Sequence, residues 1–310
     1  MRDMIITVKA LKKSYKELPV LKGITFTVKR GSIFALLGSN GAGKTTTVKI
    51  LSTLLALDSG EIEIDGISIK NAKKVREKIS LTGQYAAVDE ILTGRENLNM
   101  ICALRNVQDR KKLTDDLLAR FELTEAADRN VSTYSGGMRR KLDIAMSLIG
   151  NPSVIFLDEP TTGLDPQSRL ALWETIQVLA DSGITIFLTT QYLEEAERLA
   201  DYIAILSDGV IVAEGTVDEL KKRMPRGVIE FAFKEISHME QAINFVRDYE
   251  PRFDSESLTI TISVEDGISQ VTDILTCLKD GNAQVLGFEQ KLPTLEDVFL
   301  GLINENCEVA

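Results

Sequence analysis

The nine residues GSNGAGKTT, Gly38 to Thr46, follow directly on the unbroken apolar run Ile33 to Leu37, and few stretches leave a chain less choice of fold. A continuous apolar run of this length reads as a strand buried on both faces, as the parallel strands of α/β sheets are. Glycines at 38, 41 and 43, with Ser39, Asn40 and Ala42 between them, let the backbone curl so that successive N–H groups face inward. The segment then opens a helix containing Val48, Ile50 and Leu51, whose N-terminus adds its partial positive charge. Such a loop is a phosphate cradle. Lys44 reaches the β and γ phosphates, the Thr45 hydroxyl is placed for magnesium, and Thr46 completes the stretch.

Two further apolar runs, Ser153 to Asp158 and Ile184 to Thr190, read as buried strands of the same sheet. Between them Asp165 and Pro166 supply an N-cap and a first helical residue, so strand, helix and strand imply parallel pairing. The first run ends in Asp158 and Glu159. Downstream of a phosphate loop, Asp158 is suited to hold magnesium, directly or through water, and Glu159 to orient and polarise an attacking water. Upstream, Ile24, Phe26 and Val28 alternate with polar residues at the period of a half-buried strand, and Gly31 marks the turn after it.

A third segment, YSGGMRRKLDIAMSLIGNP, opens with Ser135 as N-cap of a helix whose core face is Leu142, Ala145, Met146 and Ile149. This is at least a capped helix. Gly136 and Gly137 also bare backbone N–H groups for close approach, which makes a second anion site at a helix N-terminus.

Together these motifs resemble the nucleotide-binding cassettes of ABC transporters. GSNGAGKTT looks like the Walker A motif, YSGGMRR the signature, VIFLDE the Walker B, TTGLDP the D-loop with Asp165, and LTGQYAAVDEILTGRENL the Q-loop through Gln84, in matching order and spacing over about residues 4 to 220. The resemblance implies a P-loop α/β cassette with a parallel core sheet, an antiparallel β subdomain and a helical subdomain. It implies ATP and Mg2+ as ligands, with Gln84 joining Thr45 and Asp158 near the metal. Tyr15 stands where the family stacks an aromatic on adenine; a core or edge tyrosine is the alternative. Cassettes of this family pair head to tail, each ATP held by one Walker A and by the other subunit's Ser135, Gly136 and Gly137, so a homodimer or heterodimer is implied.

One position departs from the family. Where its members usually carry histidine after the last core strand, LTTQYLEEAE offers Gln191. Parallel strands place that turn at the same sheet edge as Asp158, where ligands of open α/β folds bind. Gln191 is therefore expected to contact the γ-phosphate or the attacking water as a neutral amide, the alternative being a cap of the acidic helix that follows. His238 is expected on the surface.

The pattern changes near EGTVDELKKRMPRG, where Thr216 and Glu219 form a capping box and Pro225 breaks the helix. A cassette over 1–224 and an accessory domain over 225–310 follow. In the latter, strand (Val228 to Phe233), helix (Met239 to Arg247), a hairpin ending in LTITIS, helix (Ile268 to Leu278) and strand (Gln284 to Phe288) read as a ferredoxin-like α+β module. That module, with PTLEDVFLGL at its end and the glutamine at 191, resembles the daunorubicin/doxorubicin-resistance type of exporter cassette.

No apolar run approaches the roughly 18 residues of a membrane span, and the start lacks the pattern of a signal peptide. The reading is a cytoplasmic ATPase, peripheral at the inner face of the membrane, that drives a permease on a separate chain. Three dispersed cysteines suggest neither disulfides nor zinc, and a net charge of -10 argues against nucleic acid. The rival reading is a non-transport cassette ATPase acting on ribosomes or DNA. A single cassette, and a Thr46 to Tyr134 segment too short for coiled-coil insertion, speak against it. A purely structural or regulatory cassette is opposed by the intact Lys44, Ser135, Asp158 and Glu159.

Overall fold

The computed structural model describes residues 3–222, 227–265, 267–291 and 293–308. The chain forms two compact units, Met1–Thr216 and Val217–Ala310. The boundary expected between 224 and 225, with Pro225, falls within 223–226, outside the described residues.

The first unit begins with β1 (Met4–Tyr15), β2 (Leu18–Lys29), β3 (Ile33–Leu37), α1 (Lys44–Leu51), β4 (Ser59–Ile64) and β5 (Ile67–Ser68). Then come α2 (Ala72–Arg76), β6 (Ile79–Thr82), α3 (Gly94–Leu104), α4 (Arg110–Arg120) and α5 (Gly136–Ser147). It closes with β7 (Val154–Asp158), α6 (Pro166–Asp181), β8 (Thr185–Thr190), α7 (Leu193–Leu199), β9 (Tyr202–Ser207) and β10 (Val210–Gly215). Alternation in β2 buries Ile24, Phe26 and Val28 on one side of an antiparallel sheet of order β2-β1-β4-β5. The continuously apolar strands β3, β7 and β8 are buried at every position. They lie in a six-stranded sheet of order β10-β9-β3-β8-β7-β6, parallel except for β10 against β9.

The two sheets share one core. Phe26 stacks on Phe34 at 5.3 Å, Phe34 on Phe187 at 5.2 Å, and Phe156 tilts against Phe187 at 5.5 Å, so aromatic rings run from the antiparallel sheet through β3, β8 and β7. Helices α3, α4 and α5 pack on one another. Thr93 starts α3 with a full capping box, accepting from Glu96 N at 3.1 Å while its own N–H donates to Glu96 Oε2 at 2.8 Å.

Register fixes where the site falls. Leu37 of β3 pairs with Thr190 of β8, and Asp158 of β7 pairs with Thr189. The chain segments starting at Gly38, Glu159 and Gln191 therefore leave the same carboxyl edge side by side. β3 lies between β8 and β9, so this edge is also where the strand order switches, the place where ligands bind in open α/β sheets.

The second unit comprises α8 (Val217–Lys221), β11 (Val228–Phe233), α9 (Ile236–Phe245), β12 (Arg252–Asp254), β13 (Thr259–Ser263), α10 (Ile268–Asp280), β14 (Val285–Lys291) and α11 (Leu295–Glu308). Its antiparallel sheet, of order β12-β13-β11-β14, has the connectivity of a ferredoxin-like fold. Ile229, Phe231, Phe233, Ile260 and Ile262 meet Met239, Ala242, Ile274 and Leu278 of the two helices in one cluster. Helix α9 starts three residues before the expected Met239 and stops at Phe245, ahead of a short turn at Arg247–Tyr249. Helix α11 was not expected from the sequence. Its signal is the cap Thr294, which accepts from Asp297 N at 3.2 Å while its own N–H donates to Asp297 Oδ2 at 2.8 Å. His238 is partly buried, 4.0 Å from Glu235, so the expectation of a plain surface residue is modified. No described helix is long and apolar enough to cross a membrane.

Candidate active site

The loop after β3 is shaped by two glycines with positive φ, Gly41 at 85° and Gly43 at 113°. Gly38 is needed for a different reason. A Cβ there would stand 2.4 Å from the Leu206 carbonyl oxygen, so only glycine lets the loop leave the sheet along this path. Gly43 precedes α1 without any side-chain cap, which leaves the helix's first N–H groups open toward the loop.

Lys44 is buried, its Nζ donating to the carbonyls of Gly38 at 2.9 Å and Ser39 at 3.0 Å and lying 3.3 Å from Glu159 Oε1. Asp158 is also buried; its Oδ1 accepts from Thr45 Oγ1 at 3.3 Å and from Thr189 Oγ1 at 2.5 Å. A hydroxyl and a carboxylate held together are hard oxygen donors that suit Mg2+, which takes one or two carboxylates and completes its shell with phosphate and water. Glu159 has φ 48, a conformation uncommon for a residue with a side chain, and its N–H donates to Thr189 O at 3.1 Å. Gln84 Nε2 donates to Glu159 Oε2 at 3.4 Å, so the contact it makes is with the water-orienting candidate rather than with the Thr45–Asp158 pair.

Five expected residues thus meet at one sheet edge: Lys44, Thr45, Gln84, Asp158 and Glu159. Gln191 lies next to them, half-buried, one residue after Thr190, whose carbonyl accepts from Gly38 N at 3.2 Å. The alternative of Gln191 as helix cap is not what forms, because the cap position of α7 is Tyr192. Tyr15 is 45% exposed at the end of β1, outside the core.

Ser135, Gly137 and Asp165 gather in a second place, an open cleft of about 330 Å³ that also takes in Lys141 and Ser168. Ser135 caps α5 by accepting from Met138 N at 3.2 Å, and Gly136 beside it is exposed. Asp165 caps α6, accepting from Ser168 N at 2.9 Å and Ser168 Oγ at 2.6 Å, bonds that hold its carboxyl below the usual carboxylate range. A Cβ on Gly137 would stand 2.8 Å from Ser168 Oγ, so the glycine lets these two helix starts approach.

Two buried charged positions beside the site escaped the sequence reading. Arg140, 4% exposed, donates through Nε to Pro160 O at 2.9 Å and through Nη1 to Gly83 O at 2.6 Å. It thereby fastens the signature helix to the residues flanking both Glu159 and Gln84. Burial lowers its pKa, and burial raises that of its partner Asp143, 3.4 Å away, to about 6. Glu195 is fully buried in α7.

Comparison with known proteins agrees with this geometry. Residues 21–162 match the ABC transporter family, and 215–303 match the C-terminal domain of DrrA1-3-like ATP-binding proteins. Over 98% of this chain and 96% of the relative, 42% of residues are identical to daunorubicin resistance ATP-binding protein DrrA2 of Streptomyces coeruleorubidus. The chain belongs to the ATP-binding proteins of ABC transporters. It is 38% identical to doxorubicin resistance ATP-binding protein DrrA of Mycobacterium tuberculosis, over 99% of the chain and 96% of the relative. Among solved structures, an ATP-binding subunit of an ABC transporter aligns with TM-score 0.64 and 31% identity, over 71% of this chain and 92% of the other. A cassette seen as a dimer in a post-hydrolysis state, bound to ADP and Pi, aligns with TM-score 0.62 and 26% identity, over 68% of this chain and 98% of the other. This cassette protein is accordingly an ATPase, the ATP-binding subunit of a transporter.

Proposed function

We propose that two copies of the cassette, or one copy and a related cassette, close head to tail on two MgATP and drive export through a permease on a separate chain. The observation that carries the hydrolytic part is the cluster in which Lys44 meets Glu159 and Thr45 meets Asp158 at one sheet edge. When nucleotide enters, Lys44 would exchange the carbonyls of Gly38 and Ser39 for phosphate oxygens. That exchange would free Glu159 to accept a hydrogen bond from the attacking water, and Thr45 and Asp158 would hold Mg2+, whose charge would offset that of the phosphates. Gln191 adds a neutral donor and acceptor at the same edge, and Tyr15, exposed, is free to stack on a base. Ser135, Gly136 and Gly137 would complete the partner's site, with Asp165 placed at the junction. The protein would then work at the inner face of the membrane.

Relatives support export of a drug, antibiotic or lipid-like substrate. Besides the two resistance proteins, the chain is similar to linearmycin resistance ATP-binding protein LnrL of Bacillus subtilis and to Nod factor export ATP-binding protein I of Ralstonia nicotianae. The second unit, 217–310, would serve coupling to the permease or subunit pairing.

Glu159→Gln tests the reading. Turnover is expected to fall by about 100-fold or more, since a positioned base contributes that much, while MgATP still binds and shifts the protein from monomer to dimer by light scattering. Adding Ser135→Arg should abolish that shift. Near wild-type turnover in Glu159→Gln would remove Glu159 from its role, and an ATP-dependent dimer in the double variant would refute the head-to-tail arrangement.

A further inference from the structure

Among the described residues, five buried side-chain atoms lack a hydrogen-bond partner: Thr82 Oγ1, Arg140 Nη2, Thr161 Oγ1, Arg169 Nε and Glu195 Oε2. Three of them share one neighbourhood. Glu195, with no exposed surface, receives Trp173 Nε1–H on Oε1 at 3.0 Å, and the hydroxyls of Thr190 and Thr161 and the Arg169 guanidinium bear on the rest of its carboxyl. Burial raises its pKa against the downward pull of those groups.

The place matters because both loops of the catalytic edge end on it. Thr190 brackets the Gln191 turn: its carbonyl takes Gly38 N, and its Oγ1 takes Tyr192 N at 2.9 Å. Thr161 stands two residues after Glu159. Oε2 of Glu195 and Oγ1 of Thr161 are both buried without a partner in full hydrogen-bond geometry, while the Thr161 hydroxyl still bears on the Glu195 carboxyl.

We propose that Glu195 is a positioning residue for hydrolysis, holding the turn that carries Gln191 and the loop that follows Glu159 in register through Thr190 and Thr161. This rests on the roles given above to Gln191 and Glu159. Glu195 touches no reacting atom; it acts by fixing those that do, so its loss lowers kcat and leaves the KM for ATP in place.

The test uses the full chain and four variants: Glu195→Gln, Glu195→Leu, Gln191→Ala and the Gln191→Ala/Glu195→Leu pair. Glutamine keeps the length of the side chain and an oxygen to accept from Trp173 Nε1–H, so Glu195→Gln should turn over near the wild-type rate. Glu195→Leu should lose at least about tenfold in kcat, because misplacing reacting groups by about 1 Å can cost about 100-fold. The pair should be no slower than the slower single variant, since both act through one turn. Trp173, the chain's single tryptophan, supplies a second readout at the bond itself: MgATP should change its emission in wild type and Glu195→Gln but not in Glu195→Leu. If Glu195→Leu fails to fold, Glu195→Asp, which draws the carboxyl back by one methylene, takes its place with the same expectations. Equal losses in Glu195→Gln and Glu195→Leu, or additive losses in the pair, overturn the inference. A slow Gln191→Ala beside a wild-type Glu195→Leu overturns it alone. A silent Gln191→Ala beside a slow Glu195→Leu overturns coupling through that turn and also removes the role given to Gln191.

Discussion

Replacing Arg140 by methionine isolates the tie between the signature helix and the two loops of the catalytic edge. Methionine keeps an unbranched stem, so little cavity forms and the loss is polar. The carbonyls of Pro160 and Gly83 lose donors at 2.9 and 2.6 Å, and Asp143, itself buried, loses its cation. Each charge-assisted bond is worth about 1.5–3 kcal/mol. Removing one partner of a buried pair costs about 3–5 kcal/mol, a figure that already contains much of the bond loss. The expected destabilisation is therefore about 3–5 kcal/mol, equivalent to a fall of about 10 °C in Tm for a unit of this size. Urea and thermal unfolding followed by Trp173 emission is the suitable assay, because the only tryptophan lies in the first unit and reports on it alone. Arg139→Met is the control: Arg139 is part-exposed and paired with Glu90 at 2.9 Å near the surface, and its loss should cost less than about 1 kcal/mol. Arg140→Met/Asp143→Leu should recover much of the loss, since an uncompensated carboxylate is then no longer buried. Equal stability of the two arginine variants, or a double variant no better than Arg140→Met, would refute the reasoning.

Gln191→Ala should impair hydrolysis more than ATP binding, and Gln191→His should stay active. Only the histidine variant should gain a limb in its rate profile between about pH 6 and 7, because imidazole titrates near 6.5 and an amide does not; steady-state ATPase from about pH 5.5 to 8.5 decides, and a flat histidine profile counts against contact with the reacting groups. Asp143→Asn should remove a pH-dependent loss of stability. Burial raises the Asp143 carboxyl from 3.8 to about 6 in the fold, so the folded state binds that proton more tightly than the unfolded chain. Its contribution is full below about 3.8 and disappears as pH rises through about 6. Wild type should thus lose up to about 3 kcal/mol relative to Asp143→Asn between about pH 4 and 7, at about 1.4 kcal/mol per pH step. Urea unfolding of both proteins across that range checks it, and a constant difference would refute it.

Local signals determined much of this molecule. The apolar runs at Ile33, Val154 and Thr185 could only be strands covered on both faces, and the structure begins or ends them within a residue of the expected limits. Ser135 and Asp165 cap the helices read from them, because a cap is a contact between a side chain and backbone three residues on and needs no distant partner. The phosphate loop was legible for the same reason. Glycine spacing, a lysine and a threonine are all set by nine consecutive residues.

Arg140, Asp143 and Glu195 were decided elsewhere. Reading α5 as an amphipathic helix gave it one core face, Leu142, Ala145, Met146 and Ile149, and assigned no place to Arg140 or Asp143. In the fold α5 is packed against α3, α4, α6 and β6, so the face of Arg140, Asp143, Ile144 and Ser147 is buried as well. Glu195 stands at helical spacing with Ala196 and Leu199, a clue that it faces inward, yet it belongs to the acidic string LEEAE. Which of those carboxyls goes inside depends on Trp173, Thr161 and Thr190, supplied by other segments. A sequence period tells which side of a helix is apolar. Whether a second side is also covered, and what polar partners wait there, is settled only when distant elements close around it, because burial is a property of the neighbours and not of the strand or helix that bears the residue.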